Sequence, residues 1–172
     1  MSRPQANDYA PHYAPYVQLT EGISVEEVIR NHSADISQFF ESLPKEKEDF
    51  AYADGKWTLK QVLQHVTDTE RVFIYRALRF ARKDKTPLAG FEEDEYAKND
   101  YSRERDFDSL KEEFRLLRKS TNLFFSTLNE DQLNAAGTAS NHTITVNALA
   151  FIAIGHLLHH KKIIAERYLS QP

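Results

Sequence analysis

His156 and His160 stand one helical turn apart in the run Gly155-His156-Leu157-Leu158-His159-His160. Side chains four residues apart on a helix are displaced by about 40° around the axis and about 6 Å along it. Both imidazoles can therefore reach one point in space, as two ligands of a metal ion must. Wound as a helix from Val146 to Leu169, the chain puts Leu149, Ala153, Ile163 and Ile164 on the same side as the pair. A charged or unpaired imidazole is costly on an apolar face. Two readings follow: a metal-binding pair, or core histidines satisfied by hydrogen bonds. A metal needs at least a third protein ligand, and His65 is the candidate. It lies roughly 110° from the centre of its own helix's apolar stripe, a flank position suited to lining a cleft between two helices. Three histidines leave an ion positions open to water or substrate, which separates a catalytic site from a structural one. Nitrogen–metal distances of about 2.0–2.2 Å are expected.

The remaining histidines read differently. His159 points roughly 60–100° away from the pair and is expected to support it or face solvent. His12, His32 and His142 fall in an arm, on a helix flank and in a loop, and are read as solvent-facing. Arg76, three turns beyond His65 on the same flank, and Asp68 read either as an anion-binding group and a group supporting the ligands, or as plain surface charges on a helix.

The other chemistries are excluded residue by residue. The chain has no cysteine, so disulfides and thiolate ligands are absent, which fits a cytoplasmic protein. Five glycines offer no phosphate-cradling loop, and no Gly-x-Ser-x-Gly elbow exists for a serine hydrolase. Leu157 occupies the position that His-Glu-x-x-His metalloproteases give to their glutamate. The net charge of -4 gives no basis for a nucleic-acid or membrane-surface partner. No uninterrupted apolar run reaches the roughly 20 residues a bilayer span needs, and the N-terminus lacks a secretory signal's apolar core.

Four helices must position these residues, within one domain over residues 1–172. The first opens at the capping box Ser24-Val25-Glu26-Glu27 and stops at Leu43-Pro44. The second opens at Thr58-Leu59-Lys60-Gln61 and carries the stripe Leu59, Val62, Leu63, Val66, Phe73, Ala77 and Phe80. The third starts near Asp106 or Asp108, with Leu110, Phe114, Leu117, Thr121, Phe124 and Leu128 as its apolar side. The fourth runs from about Thr145 to Tyr168. Strand signals are weak, so the class is all-α. Residues 84–105 are too long for an ordinary helix–helix connection. Such a crossover makes the second and third helices parallel, giving an up-down-down-up four-helix bundle. Glu92-Glu93-Asp94-Glu95 within it reads as a solvated loop, and Lys45-Glu46-Lys47-Glu48 as a solvated charge run. Residues 1–22 hold Pro4, Pro11 and Pro15 among Tyr9, Tyr13 and Tyr16, read as a non-helical, extended arm packed on the body.

The stretches Gly55-Lys56-Trp57-Thr58-Leu59-Lys60-Gln61-Val62-Leu63-Gln64-His65-Val66-Thr67-Asp68-Thr69-Glu70 and Gly155-His156-Leu157-Leu158-His159-His160-Lys161-Lys162-Ile163-Ile164 resemble the two signatures of the DinB (YfiT-like) superfamily of metal-dependent enzymes. The arm and Phe91-Glu92-Glu93-Asp94-Glu95-Tyr96 are similar to that group too. The resemblance implies the same bundle topology, homodimers, and a divalent ion, zinc or nickel, held by three histidines that map onto His65, His156 and His160. It further implies a small-molecule substrate, with a low-molecular-weight thiol in the S-transferases and isomerases of the group. Its sulfoxide synthases carry His-x-x-x-His-x-Glu, where this chain has Lys162 in place of the glutamate. The expected function is a metal-dependent enzyme of thiol-dependent S-transferase or hydrolase type. The alternative is a non-catalytic metal-binding or stress-response bundle.

Overall fold

A computed structural model describes residues 2–170; Met1, Gln171 and Pro172, the ends of the expected 1–172 domain, lie outside them. The principal elements are α1 (Ala14–Leu19), α2 (Val25–Glu41), α3 (Leu59–Ala81), α4 (Glu93–Asn99), α5 (Phe107–Ser126), α6 (Glu130–Asn134), β1 (Ala136–Ala139), β2 (His142–Thr145) and α7 (Val146–Ile163). A π-helical turn, Ile164–Leu169, extends α7.

The helix starts are made by side chains. Thr58 and Gln61 form the expected reciprocal box, each side chain accepting the other's backbone N–H at 3.2 and 3.0 Å. Ser24 Oγ accepts from Glu27 N–H, but the Glu27 carboxylate accepts from Ile23 rather than closing the box on Ser24. Asp106, not Asp108, caps α5 by accepting from Ser109 N–H.

Side-chain pairs across the bundle define the topology. Gln64 meets Arg105 and Glu70 meets Arg118, positions rising together, so α3 and α5 run parallel. Ser33 meets Asn122 while Lys45 meets Asp106, so α2 and α5 are antiparallel. Trp57 meets Tyr168 while His65 meets His156, so α3 and α7 are antiparallel as well. The order is up-down-down-up, with the long crossover joining α3 to α5.

Several expectations need correction. The arm is not wholly extended: two short 3-10 turns lead into α1. Pro11 and Pro15 sit in first turns, where the missing N–H has no helical acceptor to lose. The arm does pack on the body, Asn147 Nδ2 donating to Ser2 O and Val17 being buried. The acidic run in the crossover is helical, Glu93 to Glu95 forming the first turn of α4, where carboxylates suit the helix dipole. Its side chains are exposed, as expected. The Lys45–Glu48 run is only partly solvated, because Glu48 pairs with buried Lys60 at 3.5 Å. On α5 the fully buried line is Phe107, Leu110, Phe114, Arg118, Thr121 and Phe125, not one through Leu117 and Phe124.

The β1–β2 hairpin was not expected. Its two-residue turn, Ser140-Asn141, has both φ values positive (50° and 64°), the backbone twist that fits a tight hairpin. Leu88 of the crossover bonds to it on both sides, N–H to Thr138 O and O from Ser140 N–H.

The helix α7 has no polar face over its first three turns. Every residue from Val146 to Leu157 is buried, because α1, α2 and α3 surround it. The segment Val146–Leu169 is thus long and apolar enough to cross a bilayer by length and composition alone. Its place at the bundle centre accounts for that composition. Gly155 permits the tightest approach, since a Cβ there would lie 2.0 Å from Tyr16 O on α1. Gly155→Ala is therefore expected to push α1 off α7, costing about 1–3 kcal/mol. Denaturant unfolding, with protease sensitivity of residues 2–22, checks it; an unchanged midpoint would mean that α1 is not held there.

Candidate metal centre

His65 enters from the second turn of α3, and His156 and His160 from adjacent turns of α7. Antiparallel packing brings them together. One nitrogen from each ring lies within 4.8 Å of those of the other two. The closest pair, His65 Nε2 and His156 Nε2, is 3.2 Å apart. Two ligands of one tetrahedral zinc at about 2.05 Å would be roughly 3.3 Å apart. His160 Nδ1 is buried with no hydrogen-bond partner among the described residues. That orphaned atom weighs against satisfied core histidines, and the three neutral nitrogen donors fit a divalent ion.

Burial sets the protonation state. It pushes the His65 pKa down to about 4, with exposed Asp94 opposing in part. His160 is pushed to about 3, again mainly by burial and then by His65 and His159. His156, 5% exposed, is also held well below its ordinary value by burial, and next by His160. Burial thus favours the neutral form of all three rings at pH 7, the form in which an imidazole nitrogen can bind a cation. The unfolded chain binds protons on these rings below about pH 6.5, and the folded protein does not. Stability is therefore unaffected above that pH and falls as pH drops towards 4, by up to about 1.4 kcal/mol per unit for each histidine. Melting the metal-free protein at pH 7.5 and 5.0 should show this loss. A flat profile would mean that the rings are not buried neutral.

Aromatic side chains wall the cluster. Trp57 lies 4.8 Å from His65, Phe73 is 6.0 Å from His156, and Tyr16 meets His156 edge-on at 5.5 Å, all between ring centroids. Burial raises the Tyr16 pKa, so its hydroxyl stays protonated. A cavity of about 530 Å³ opens on His65 and His156, reaching Arg76, Phe91 and Asn141. A second opening of about 220 Å³ reaches His160 between Tyr52, Trp57 and Asp94.

His159 is half-buried, its ring 5.4 Å from Tyr16 and 5.2 Å from His160, outside the cluster but against it. His12 and His142 are exposed, as expected, with rings 5.8 Å apart near the cavity mouth. His32 is not simply solvent-facing: it is half-buried and its Nε2 accepts from Glu21 N–H at 2.8 Å. Asp68 is half-buried, accepting from Gln64 and Arg71, with its pKa raised by burial. Arg76 is buried outright. Lys162 is exposed and faces Glu166, away from the cluster. Trp57, Tyr16 and Asp94 were not singled out from sequence; a lone tryptophan just before a helix carrying a candidate ligand was the available signal.

The DinB superfamily model matches residues 29–164, spanning both histidine-bearing helices. The chain belongs to the DinB superfamily. No curated protein matches it. Among solved structures it is similar to YfiT from Bacillus subtilis, described as a probable metal-dependent hydrolase with an unusual four-helix bundle topology. That likeness is at 20% identity over 95% of this chain and 89% of YfiT, with a TM-score of 0.69. A mycothiol-dependent maleylpyruvate isomerase matches at 14% identity and TM-score 0.67, over 80% of this chain but only 59% of the isomerase. The DinB-like protein YjoA from Bacillus subtilis matches at 17% identity and TM-score 0.57, over 86% and 92% of the two chains. At these identities the likeness is one of fold. It makes this DinB protein's bundle the one expected.

Proposed function

We propose that this DinB protein is a metal-dependent enzyme in which His65, His156 and His160 hold one divalent ion, zinc or nickel. Its substrate is a small molecule, handled by thiol-dependent S-transfer or by hydrolysis. The observation that carries the reading is the convergence of three neutral imidazoles beside two openings, one reaching His65 and His156 and the other His160. A buried, closed cluster would favour a purely structural ion; the cavity favours catalysis over the non-catalytic alternative. The names of the similar structures, one metal-dependent and one thiol-dependent, support the same class.

When bound, the ion would supply a Lewis acid, polarising a coordinated group and lowering the pKa of a coordinated water or thiol. The chain's own residues do the rest. Burial keeps the three rings deprotonated, so no proton competes for their lone pairs near neutral pH. Trp57, Phe73 and Tyr16 pack against the rings and line the openings that lead to them. Asp94 stands exposed beside the smaller opening, where its negative charge favours a cation at the rings.

Residues 1–172 are read as one domain, acting in the cytoplasm as a homodimer. The arm's tyrosines pack on their own bundle and are not left for a partner. Leu116 and Leu123, seven residues apart on α5 and 52% and 59% exposed, are the better pairing surface. Light scattering tests the dimer. The test of function is metal analysis of tag-free protein, Ni²⁺ and Zn²⁺ titration followed through Trp57 fluorescence, and a thiol-transfer and hydrolysis screen. One ion per chain with saturable quenching is expected; no retained ion and no quenching would end the reading.

A further inference from the structure

Arg76 is 2% exposed and lies on the same face of α3 as His65, three turns further along. Its Nη2 donates to Ala89 O at 3.0 Å and to Ser140 Oγ at 3.1 Å. Both acceptors are neutral. Among the described residues no carboxylate comes within 4.0 Å of the guanidinium, and Nη1 and Nε have no protein acceptor. A buried cation is ordinarily paired, because leaving water without a counter-charge is costly. A merely structural clamp between the crossover and the hairpin turn could be made by an uncharged amide. The guanidinium also lines the same 530 Å³ cavity that His65 and His156 reach, with Phe91 across it at 6.0 Å.

We infer that Arg76 recognises the substrate, and that the substrate is an elongated small molecule ending in a carboxylate. The inference rests on the reading of the three histidines as the reactive end. Arg76 and His65 are eleven residues apart on α3, about 16 Å along the axis. After allowing for side-chain reach, the two ends of the ligand are separated by something on the order of 10–15 Å. A planar guanidinium matches a carboxylate's two oxygens. The rim decides between a carboxylate and a doubly charged phosphate. Glu92 and Glu93, both exposed, line the same cavity and repel a second negative charge.

The test uses full-length protein loaded with Co²⁺ and straight-chain ω-mercaptocarboxylates of about eight to twelve carbons, compared with mercaptoalcohols of the same length. Binding is followed by Trp57 fluorescence and calorimetry. The acid should bind at least about tenfold tighter than the alcohol. In Arg76→Gln that preference should fall to near unity, and Arg76→Lys should keep part of it. No preference in the wild type, or a preference that survives Arg76→Gln, overturns the inference. Tighter binding of an ω-mercaptoalkyl phosphate overturns the carboxylate assignment. The acid–alcohol comparison in the wild type needs no variant, so misfolding of Arg76→Gln does not blunt it. Ni²⁺ quenching of Trp57, measured first, reports on the histidines separately. If it is absent, decanoate against decanol on metal-free protein still reads the Arg76 end, with the same outcomes.

Discussion

Arg118→Met is expected to destabilise the protein by about 3–5 kcal/mol and to lower its melting temperature by on the order of 10 °C. Arg118 and Glu70 pair at 2.9 Å with side chains only 1% and 2% exposed. Arg118 Nη2 also donates to Asn122 Oδ1 at 2.7 Å, and Asn122 in turn accepts from Ser33 Oγ, so the pair ties α3, α5 and α2 together. Removing the guanidinium strands a carboxylate in the core, where Glu70 Oε2 already has no partner among the described residues. The desolvated charge, rather than the lost hydrogen bond, makes the effect large. Glu70→Leu combined with Arg118→Met should recover most of the loss, because neither charge then remains buried. Urea unfolding of the wild type, the single variant and the pair measures it. A single-variant loss below about 1 kcal/mol would show that the pair is not a buried electrostatic tie between these helices.

His160→Ala is expected to abolish stabilisation by metal while leaving the fold intact. An ion at a hundredfold excess over its Kd adds about 2.7 kcal/mol to the native state. The wild type should therefore melt higher with Ni²⁺ or Zn²⁺, and the variant should not respond. The metal-free variant should also lose less stability between pH 7.5 and 5.0 than the wild type, because one of the depressed titrations has been removed. Circular dichroism should still report a helical protein, since Phe40, Phe80, Phe114 and Phe151 are fully buried and the ring contacts of His160 are with His65, His156 and His159. Stoichiometric binding at unchanged affinity would remove His160 from the ligand set, and His159, whose ring is 5.2 Å away, would be the next candidate.

Much of the bundle was legible because its signals are local. A cap residue, a 3.6-residue period and a proline stop act within a few residues, so α2, α3, α5 and α7 begin at or beside the capping residues expected. The crossover length constrained the topology for a similarly simple reason: a connection that long is not needed between antiparallel neighbours. The hairpin was missed because Ala136–Ala139 carries little β-branched pattern. Its pairing depends on Leu88, and on Phe80 lying across Gly137, both remote in sequence. The helical part of the arm is hidden in the sequence because proline signals a break, yet Pro11 and Pro15 fall in first turns, where proline is tolerated.

The histidines show where local reading stops. A spacing of four residues puts His156 and His160 on one side of α7 whatever surrounds them, since helix geometry alone does this. An apolar stripe gives the pair little distinction, because α7 is buried on every side up to Leu157 and has no polar face for contrast. That His65 reaches the pair depends on the antiparallel packing of α3 on α7, a contact across 91 residues of chain. The burial of Arg76 and Arg118 was equally out of reach. A charged residue on a helix reads as surface until a second element covers it, and the covering elements here are the hairpin turn and crossover for Arg76, and α3 for Arg118. Period and capping are properties of consecutive residues and were readable; desolvation depends on neighbours distant in the chain, which only packing brings near.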